Sequence, residues 1–299
     1  MTLEDDWEEG DEEEDDGSAE LVESGTFRVD PATAAEKLRD YQLPDAKAFL
    51  VPWLRAAVAF GASRVEAGVV DGSLAFSFDG ASPDPPVLKD LTAGLLQEDR
   101  GEPSRHLAFG ALALHRLSPS AISAASLDGR TTVFVRWAEG WGPATEALAL
   151  LREAYGMSAT ALLIDGEAVA DPVRAAVPLV KWAGKKTRIV IVEGPPAAGS
   201  GLLRLYKLGA LVESLPFDLG GPFHAHMAHN RFSLSLSQSS VVKDARYRRR
   251  IRWLGRLRRD LVGRRPSTRF GRLASGVGVP TALRSALAIL RRFRAGEGA

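Results

Sequence analysis

Apolar residues in the first half of the chain recur with helical spacing and then with strand spacing. From Pro44 onwards they fall three or four positions apart, which predicts a helix with one broad apolar face that ends near Gly61. Two alternating runs then flank Asp71-Gly72, the pair that favours a two-residue hairpin turn, and a second hairpin is predicted at Asp128-Gly129. The predicted strands are residues 64–70, 73–78, 121–127 and 131–137.

Three further helices are predicted beside these hairpins. Asp30 followed by Pro31 is a strong start for a helix over 30–41, since aspartate caps free backbone amides and proline suits the first helical turn. Apolar spacing also predicts helices over 84–98 and 105–117. Helices combined with antiparallel hairpins in this order are typical of a two-layer α/β sandwich.

The pattern of apolar and polar residues changes at the turn residues 141–143, where the second half of the chain begins. A helix is predicted over 144–155, and basic helices are predicted over 243–262 and 281–293. Between them, glycine and proline clusters separate strand-like runs at 161–164, 187–193, 202–208, 210–214 and 232–237. We therefore predict an acidic disordered tail (1–25), an α/β domain (26–140), a smaller α/β domain (141–262), and a basic linker with a C-terminal helix (263–299).

Charged residues are concentrated at the two ends of the chain. Its 299 residues include 38 basic and 38 acidic side chains and no cysteine. Residues 4–16 hold eleven acidic side chains, whereas residues 243–294 hold sixteen arginines and one lysine. The acidic end is typical of a solvated tail, and it also suits a segment that screens the basic region from an anionic partner. With no cysteine, signal peptide or membrane span in the sequence, a cytoplasmic location is predicted.

Three short segments resemble the ATP-site motifs of the GHKL ATPases, the superfamily of MutL, gyrase B, the histidine kinases and the ninety-kilodalton heat-shock chaperones. Residues 61–66 (GASRVE) are similar to the GATRIDI segment that ends the first ATP-site helix of MutL. Asp79-Gly80 resembles the motif whose aspartate accepts a hydrogen bond from adenine, and residues 106–113 (HLAFGALA) resemble GFRGEALA of MutL. The resemblance implies a GHKL-type sandwich whose ATP site is built from these segments.

The same resemblance shows which ATP-site residues have been replaced. Counting back from Gly61, the water-activating glutamate of MutL corresponds to Pro52 and the magnesium-binding asparagine to Ala56. If the segment is aligned with the heat-shock chaperones instead, the glutamate and asparagine positions fall at Trp53 and Ala57. None of these side chains offers the oxygen ligand that magnesium needs. ATP hydrolysis by the usual route is therefore not expected, because both the general base and the metal anchor are gone.

Asp79 and Gly80 are the two positions that the resemblance leaves in place, on the adenine side of the site. The alternative is that this pair only ends a strand in a turn. The glycines that wrap the phosphates in MutL correspond to His106 and Phe109, whose side chains would fill the space that a phosphate needs. We therefore predict no bound cofactor, with ATP and magnesium as the alternative.

The second half resembles the middle domain of the heat-shock chaperones. Residues 211–216 (LVESLP) and 232–238 (FSLSLSQ) are similar to the chaperone segment VVDSEDLPLNISRE. The arginine that follows the last serine of that segment reaches the γ-phosphate of ATP. Gln238 stands in its place, and an amide supplies no positive charge, so the resemblance implies that this catalytic contact is lost.

Three histidines lie within residues 222–230, which are predicted to form a loop. The spacing of His224, His226 and His229 allows a metal site. No carboxylate or cysteine nearby completes such a site, however, and Asn230 suits a turn. We predict no bound metal.

These observations leave three functions open. The leading hypothesis is a non-catalytic, GHKL- and chaperone-like protein that binds another protein as a scaffold subunit. An apolar pocket at the former ATP site, near Trp53, Ala56, Ala57, Asp79 and Phe109, is then expected either to be filled by side chains or to accept a different ligand. The second hypothesis is an ATP-dependent chaperone that a partner subunit completes. The third is nucleic-acid binding through arginines of the basic region, namely Arg248, Arg249, Arg250, Arg258 and Arg259. The oligomeric state stays open.

Overall fold

The computed structural model describes residues 43–95, 101–138, 142–184, 186–194, 201–219 and 223–263, with side chains described as far as residue 257. The chain divides into two compact units, Met1–Arg249 and Arg250–Ala299. The predicted acidic tail and the predicted helices over 30–41 and 281–293 lie outside the described residues.

The first sheet contains six strands in the order β3-β4-β2-β1-β5-β6. All neighbours are antiparallel except β1 and β5, which run parallel. Both predicted hairpins are confirmed: Asp71 and Gly72 have φ of 49° and 71°, and Asp128 and Gly129 have φ of 50° and 75°, the left-handed values that a type I′ turn requires. The strands are β1 (Arg64–Val70), β2 (Ser73–Asp79), β3 (Ala121–Leu127), β4 (Arg130–Arg136), β5 (Ala161–Ile164) and β6 (Glu167–Ala168).

Helices on one face of this sheet form its second layer. A 3-10 turn, Ala46–Phe49, leads into α1 (Leu50–Ala59), and α3 (Glu102–His115) and α4 (Gly142–Ala154) pack with it into one apolar core against β1, β2 and β4. The centre of this core is aromatic, because Trp53 lies 5.3 Å from Phe49 and 5.6 Å from Phe76 between ring centroids. The mixed α/β architecture predicted for this part of the chain is confirmed.

The helix predicted over 84–98 is interrupted. Helix α2 spans only Pro85–Lys89, and a separate 3-10 turn, Leu91–Gly94, follows. Asp90 has extended backbone angles, and its side chain accepts a hydrogen bond of 2.9 Å from the amide of Thr92. Asp90 therefore caps a new turn instead of continuing the helix, which apolar spacing alone did not reveal.

The first sheet extends beyond residue 140, where its domain was predicted to end. Strand β5 pairs with β1 over Arg64↔Ala161 to Ala67↔Ile164, and α4 contributes Ala147 to the same core as α1. The sequence analysis placed both elements in the second domain, because a short apolar strand carries no local sign of the strand it will pair with.

The second sheet contains five strands in the order β10-β9-β11-β8-β7. Neighbours are antiparallel except β9 and β11, which run parallel. Its strands are β7 (Pro178–Ala183), β8 (Thr187–Glu193), β9 (Leu202–Lys207), β10 (Ala210–Pro216) and β11 (Phe223–His229), and a short helix, α5 (Pro172–Ala175), precedes them.

Two predictions for this sheet are wrong. Residues 222–230 were predicted as a loop, but β11 is the central strand, since the fully buried Ala225 and Met227 alternate with histidines that disguise the strand pattern. The strand predicted over 232–237 is absent from that described segment. Serine side chains there bond to one another and to the backbone, as when Ser235 Oγ accepts from the Ser240 amide at 3.2 Å, and so favour a turn.

A basic helix, α6 (Ala245–Gly263), follows close to its predicted limits of 243–262. It begins where Asp244 accepts a hydrogen bond of 2.7 Å from the amide of Tyr247. In the part of the chain that the structure describes, no helix combines the length and the apolar character needed to cross a bilayer.

Candidate functional site

The positions that correspond to the GHKL glutamate and asparagine lie inside the core. Pro52 is buried, and Trp53, Ala56 and Ala57 have no exposed surface. The indole Nε1 of Trp53 donates a hydrogen bond of 3.0 Å to the carbonyl of Leu107 on α3. These side chains thus hold α1 against the sheet and α3, and none of them faces a site open to solvent.

Helix α3 packs against α1 so closely that only glycine fits at the contact. A Cβ atom at Gly110 would lie 2.4 Å from Cδ1 and Nε1 of Trp53 and 2.6 Å from the carbonyl oxygen of Phe49. On the same helix His106 is buried and Phe109 is half-buried. Protein atoms therefore occupy the contact between α1 and α3, where the apolar pocket was predicted around Trp53.

Asp79 and Gly80 join the end of β2 to the turn between α1 and β1. Asp79 accepts hydrogen bonds from Ser63 Oγ at 2.5 Å and from the Arg64 amide at 2.8 Å. Burial alone would raise the pKa of Asp79, but these hydrogen bonds outweigh it and lower the pKa. Gly80 has a φ of 107°, and a Cβ atom there would lie 2.8 Å from the Phe60 carbonyl oxygen. Both residues already have structural contacts within the fold.

A buried arginine lies on α1, next in sequence to Ala56. Arg55, on α1, is 1 % exposed, and it donates to the carbonyl of Gln238 at 3.3 Å and to the carbonyl of Leu211 at 3.2 Å. Burial lowers its pKa to about 10, so it remains charged at neutral pH. Its Nε atom makes no hydrogen bond within the described structure. Arg55 thus connects the helix layer of the first sheet to the second sheet by donating hydrogen bonds to backbone carbonyls.

Gln238, which the sequence resemblance aligned with the chaperone arginine, is brought next to α1 by this contact. Its backbone is left-handed, with a φ of 57°, which is uncommon for a residue other than glycine. Its side-chain Nε2 donates to the Ser235 carbonyl at 3.3 Å, whereas its buried Oε1 has no hydrogen-bond partner among the described residues. Gln238 therefore offers Arg55 a carbonyl and carries no charge itself.

A second link between the layers is ionic. Lys207 of β9 is 2.5 Å from Glu102 Oε1 at the start of α3, and it also donates to the Phe232 carbonyl at 2.6 Å. His106 Nε2 lies 3.5 Å from the same Glu102 oxygen, a long and therefore weak contact. The His106 ring and the Lys207 ammonium outweigh the effect of burial and lower the pKa of Glu102 to about 2. The pKa of His106 is also lowered, and the main cause is burial of its ring. The cluster therefore places the Glu102 carboxylate in an ion pair with Lys207, while the buried Arg55 acts electrostatically on His106.

Arg55, Glu102 and Lys207 were not among the predicted site residues. Arg55 had a recognisable signal, because it is a charged residue inside a helix whose flanking positions are apolar. Glu102 and His106 are four residues apart at a helix start, a spacing that brings side chains together. Lys207 had no signal, because its partners are distant in sequence.

The three histidines of β11 take part in separate contacts. His224 Nδ1 accepts from the Leu202 amide at 3.1 Å, and His229 Nδ1 lies 2.9 Å from Thr187 Oγ1. His226 Nδ1 lies 3.2 Å from the Tyr206 hydroxyl, and burial lowers the pKa of His226 to about 4. Among the described residues, no group of three histidine, cysteine or acidic side chains is placed to hold a metal ion.

The arginines predicted to bind a polyanion fall on α6. Arg248 and Arg249 are exposed and Arg250 is half-buried, while the side chains of Arg258 and Arg259 lie outside the described residues. Further along the helix, Arg252 and Arg256 are also exposed. Since they are four residues apart on a helix, these two side chains share one face.

Comparison with known proteins finds similarity at the level of structure only. No protein-family model matches the chain, and no curated protein matches it in sequence. Among solved structures, the chain is similar to the B subunit of the DNA gyrase from Myxococcus xanthus, with a TM-score of 0.45 and 11 % sequence identity, over 77 % of this chain and 96 % of that one.

Proposed function

We propose that this chain is a non-catalytic protein with a GHKL-like fold, which binds another protein and does not use ATP. The observation that carries the proposal is the closure of α1 against α3, where a single added carbon at Gly110 would collide with Trp53 and with the Phe49 backbone. A nucleotide needs an open cleft with polar groups aimed into it, and buried side chains stand at the corresponding positions.

The residues present also suit magnesium poorly. The side chains at 52, 53, 56 and 57 carry no oxygen ligand, and Asp79 already accepts two hydrogen bonds. Without the metal, the charge of a triphosphate would have to be balanced by the protein. Among the described residues, the buried arginine and lysine are Arg55 and Lys207, and they already bind backbone carbonyls and Glu102.

Ligand-dependent stabilisation tests the absence of nucleotide binding. A ligand present at 100 times its Kd raises the free energy of unfolding by about 2.7 kcal/mol. We expect ATP, ADP and a non-hydrolysable analogue, each with and without Mg²⁺, to leave the urea midpoint of the full chain unchanged. Isothermal titration provides the matching direct measurement. Magnesium-dependent binding with ATP turnover would refute the proposal and favour a chaperone ATPase.

A second candidate function is binding of a polyanion through α6, favoured by the exposure of Arg252 and Arg256. Two phosphate contacts add about 2 to the salt slope of nucleic-acid binding. The double variant Arg252→Ser, Arg256→Ser should lose that part of the slope, whereas Arg152→Ser, an exposed arginine on α4, should keep it. Removing residues 2–24 should raise affinity if the acidic tail screens this region.

The same variants separate a protein partner from a nucleic acid. A partner captured from the native host by the full chain, retained after nuclease treatment and lost with Arg252→Ser, Arg256→Ser, supports a protein-binding role for α6. Capture that disappears with nuclease supports the polyanion function instead.

A further inference from the structure

Strand β3 forms one edge of the first sheet, and it contains none of the residues that usually block pairing with a further strand. It is seven residues long and reads AISAASL, with no charged residue and no proline. Its register with β4 is continuous over all seven residues. Long, regular and uncharged edge strands are the ones that pair with a further strand, because their unpaired amides and carbonyls form a template.

The other three sheet edges of the described structure all carry protection. Strand β6 has only two residues, one of them Glu167. Strand β7 begins with Pro178, has an irregular register near it and carries Lys181. Strand β10 has an irregular register at Leu211/Glu213 and ends at Pro216. Short length, charge, proline and bulges are the devices by which proteins block edge pairing, so β3 is the exception within its own chain.

Hairpin geometry shows which groups of β3 face outwards. A two-residue turn makes the flanking residues, Leu127 and Arg130, a hydrogen-bonded pair, and such pairs alternate along an antiparallel ladder. The amides and carbonyls of Ile122, Ala124 and Ser126 therefore point away from β4. Within the described residues none of them has a backbone partner outside the ladder, and although α2 contacts β3 it provides no such bond.

We propose that β3 pairs with β3 of a second copy of this chain, antiparallel, about a twofold axis at Ala124. Three outward-facing residues centred on Ala124 are self-complementary, since Ile122 then faces Ser126 of the second copy. The same register places Leu127, which is 74 % exposed, beside Ala121 of the second copy. The exposed face of β3 otherwise carries only Ala and Ser, so no bulky or charged side chain opposes the pairing. This inference does not depend on the proposed function.

Sedimentation equilibrium of the full chain tests the pairing. We expect a dimer, and we expect the double variant Ser123→Lys, Ala125→Lys to raise its Kd by about tenfold or more, because lysines at 123 and 125 would face each other across the axis. Leu179→Lys, on the protected edge strand β7, is the matched control and should leave the Kd unchanged. Ala124→Pro removes one outward amide and should also dissociate the dimer.

Hydrogen exchange distinguishes a second copy from other occupants of this edge. The amides of Ile122, Ala124 and Ser126 should be protected in the dimer and lose protection on dilution. A monomeric full chain would overturn the proposal, and protection of these amides in a monomer would show that another segment of the same chain covers β3. A dimer that neither β3 variant weakens would show that the copies meet elsewhere.

Discussion

The closure of α1 against α3 makes Gly110→Ala the most direct test of the argument for a non-catalytic protein. The added methyl group would lie 2.4 Å from the Trp53 ring and 2.6 Å from the Phe49 carbonyl oxygen. Overpacking of this kind costs about 1 to 3 kcal/mol, and the gain in helix propensity from glycine to alanine returns about 1 kcal/mol. Since a backbone oxygen cannot move aside by changing rotamer, we expect the cost to lie at the upper end of this range and the net loss to be about 2 kcal/mol.

Urea unfolding followed by circular dichroism measures this loss. Gly255→Ala is the matched control, because Gly255 also lies within a helix and an added Cβ there has no heavy atom within 4 Å. The control should be neutral or stabilising by up to about 1 kcal/mol. If Gly110→Ala leaves the free energy of unfolding unchanged or raises it, α1 and α3 do not meet this closely, and the case against a nucleotide cleft fails.

Three further variants probe the contacts around the site. Asp79→Ala should lower the free energy of unfolding by about 1 to 2 kcal/mol through loss of two hydrogen bonds, with or without ATP present; a cost that appears only with nucleotide would indicate an adenine contact. The pKa of Glu102 is about 2 in the fold, against an ordinary value of 4.5. The stabilisation from its carboxylate is therefore complete above pH 4.5 and is lost as the pH falls towards 2. The urea midpoints of wild type and Glu102→Gln should converge over that pH range. The pKa of His226 is about 4 against 6.5, so protonation favours the unfolded chain and stability falls from pH 6.5 towards 4. Thermal unfolding of His226→Gln should show a smaller fall, since the buried His106 still contributes, and identical profiles would contradict the prediction.

Local chemistry explains which parts of the fold the sequence predicted. The hairpin turns at 71–72 and 128–129 need left-handed residues at both central positions, and Asp-Gly meets that need without help from the rest of the chain. The start of α6 is likewise local, since Asp244 caps it. These features depend on residues a few positions apart, so a single sequence is sufficient to reveal them.

The errors arose where distant residues decide the structure. Strand β5 belongs to the first sheet because it pairs with β1, nearly a hundred residues earlier, and β11 is a central strand because β8 and β9 flank it. A central strand with three histidines is hidden from pattern analysis, because its burial comes from neighbours that the local sequence does not show. The charged cluster was missed for the same reason, since Lys207 and Glu102 are joined only by the fold.

The contacts within that cluster also limit how a ligand could change the arrangement of the two sheets. Arg55 binds the Gln238 and Leu211 carbonyls, and Lys207 binds Glu102, so both links between the layers are made by residues of the chain itself. A ligand shifts an equilibrium between conformations only if it interacts differently with them. A ligand that binds at this cluster would have to displace contacts that Arg55 and Lys207 already make within the chain, so we expect assays for macromolecules bound at exposed surfaces to be the more informative ones.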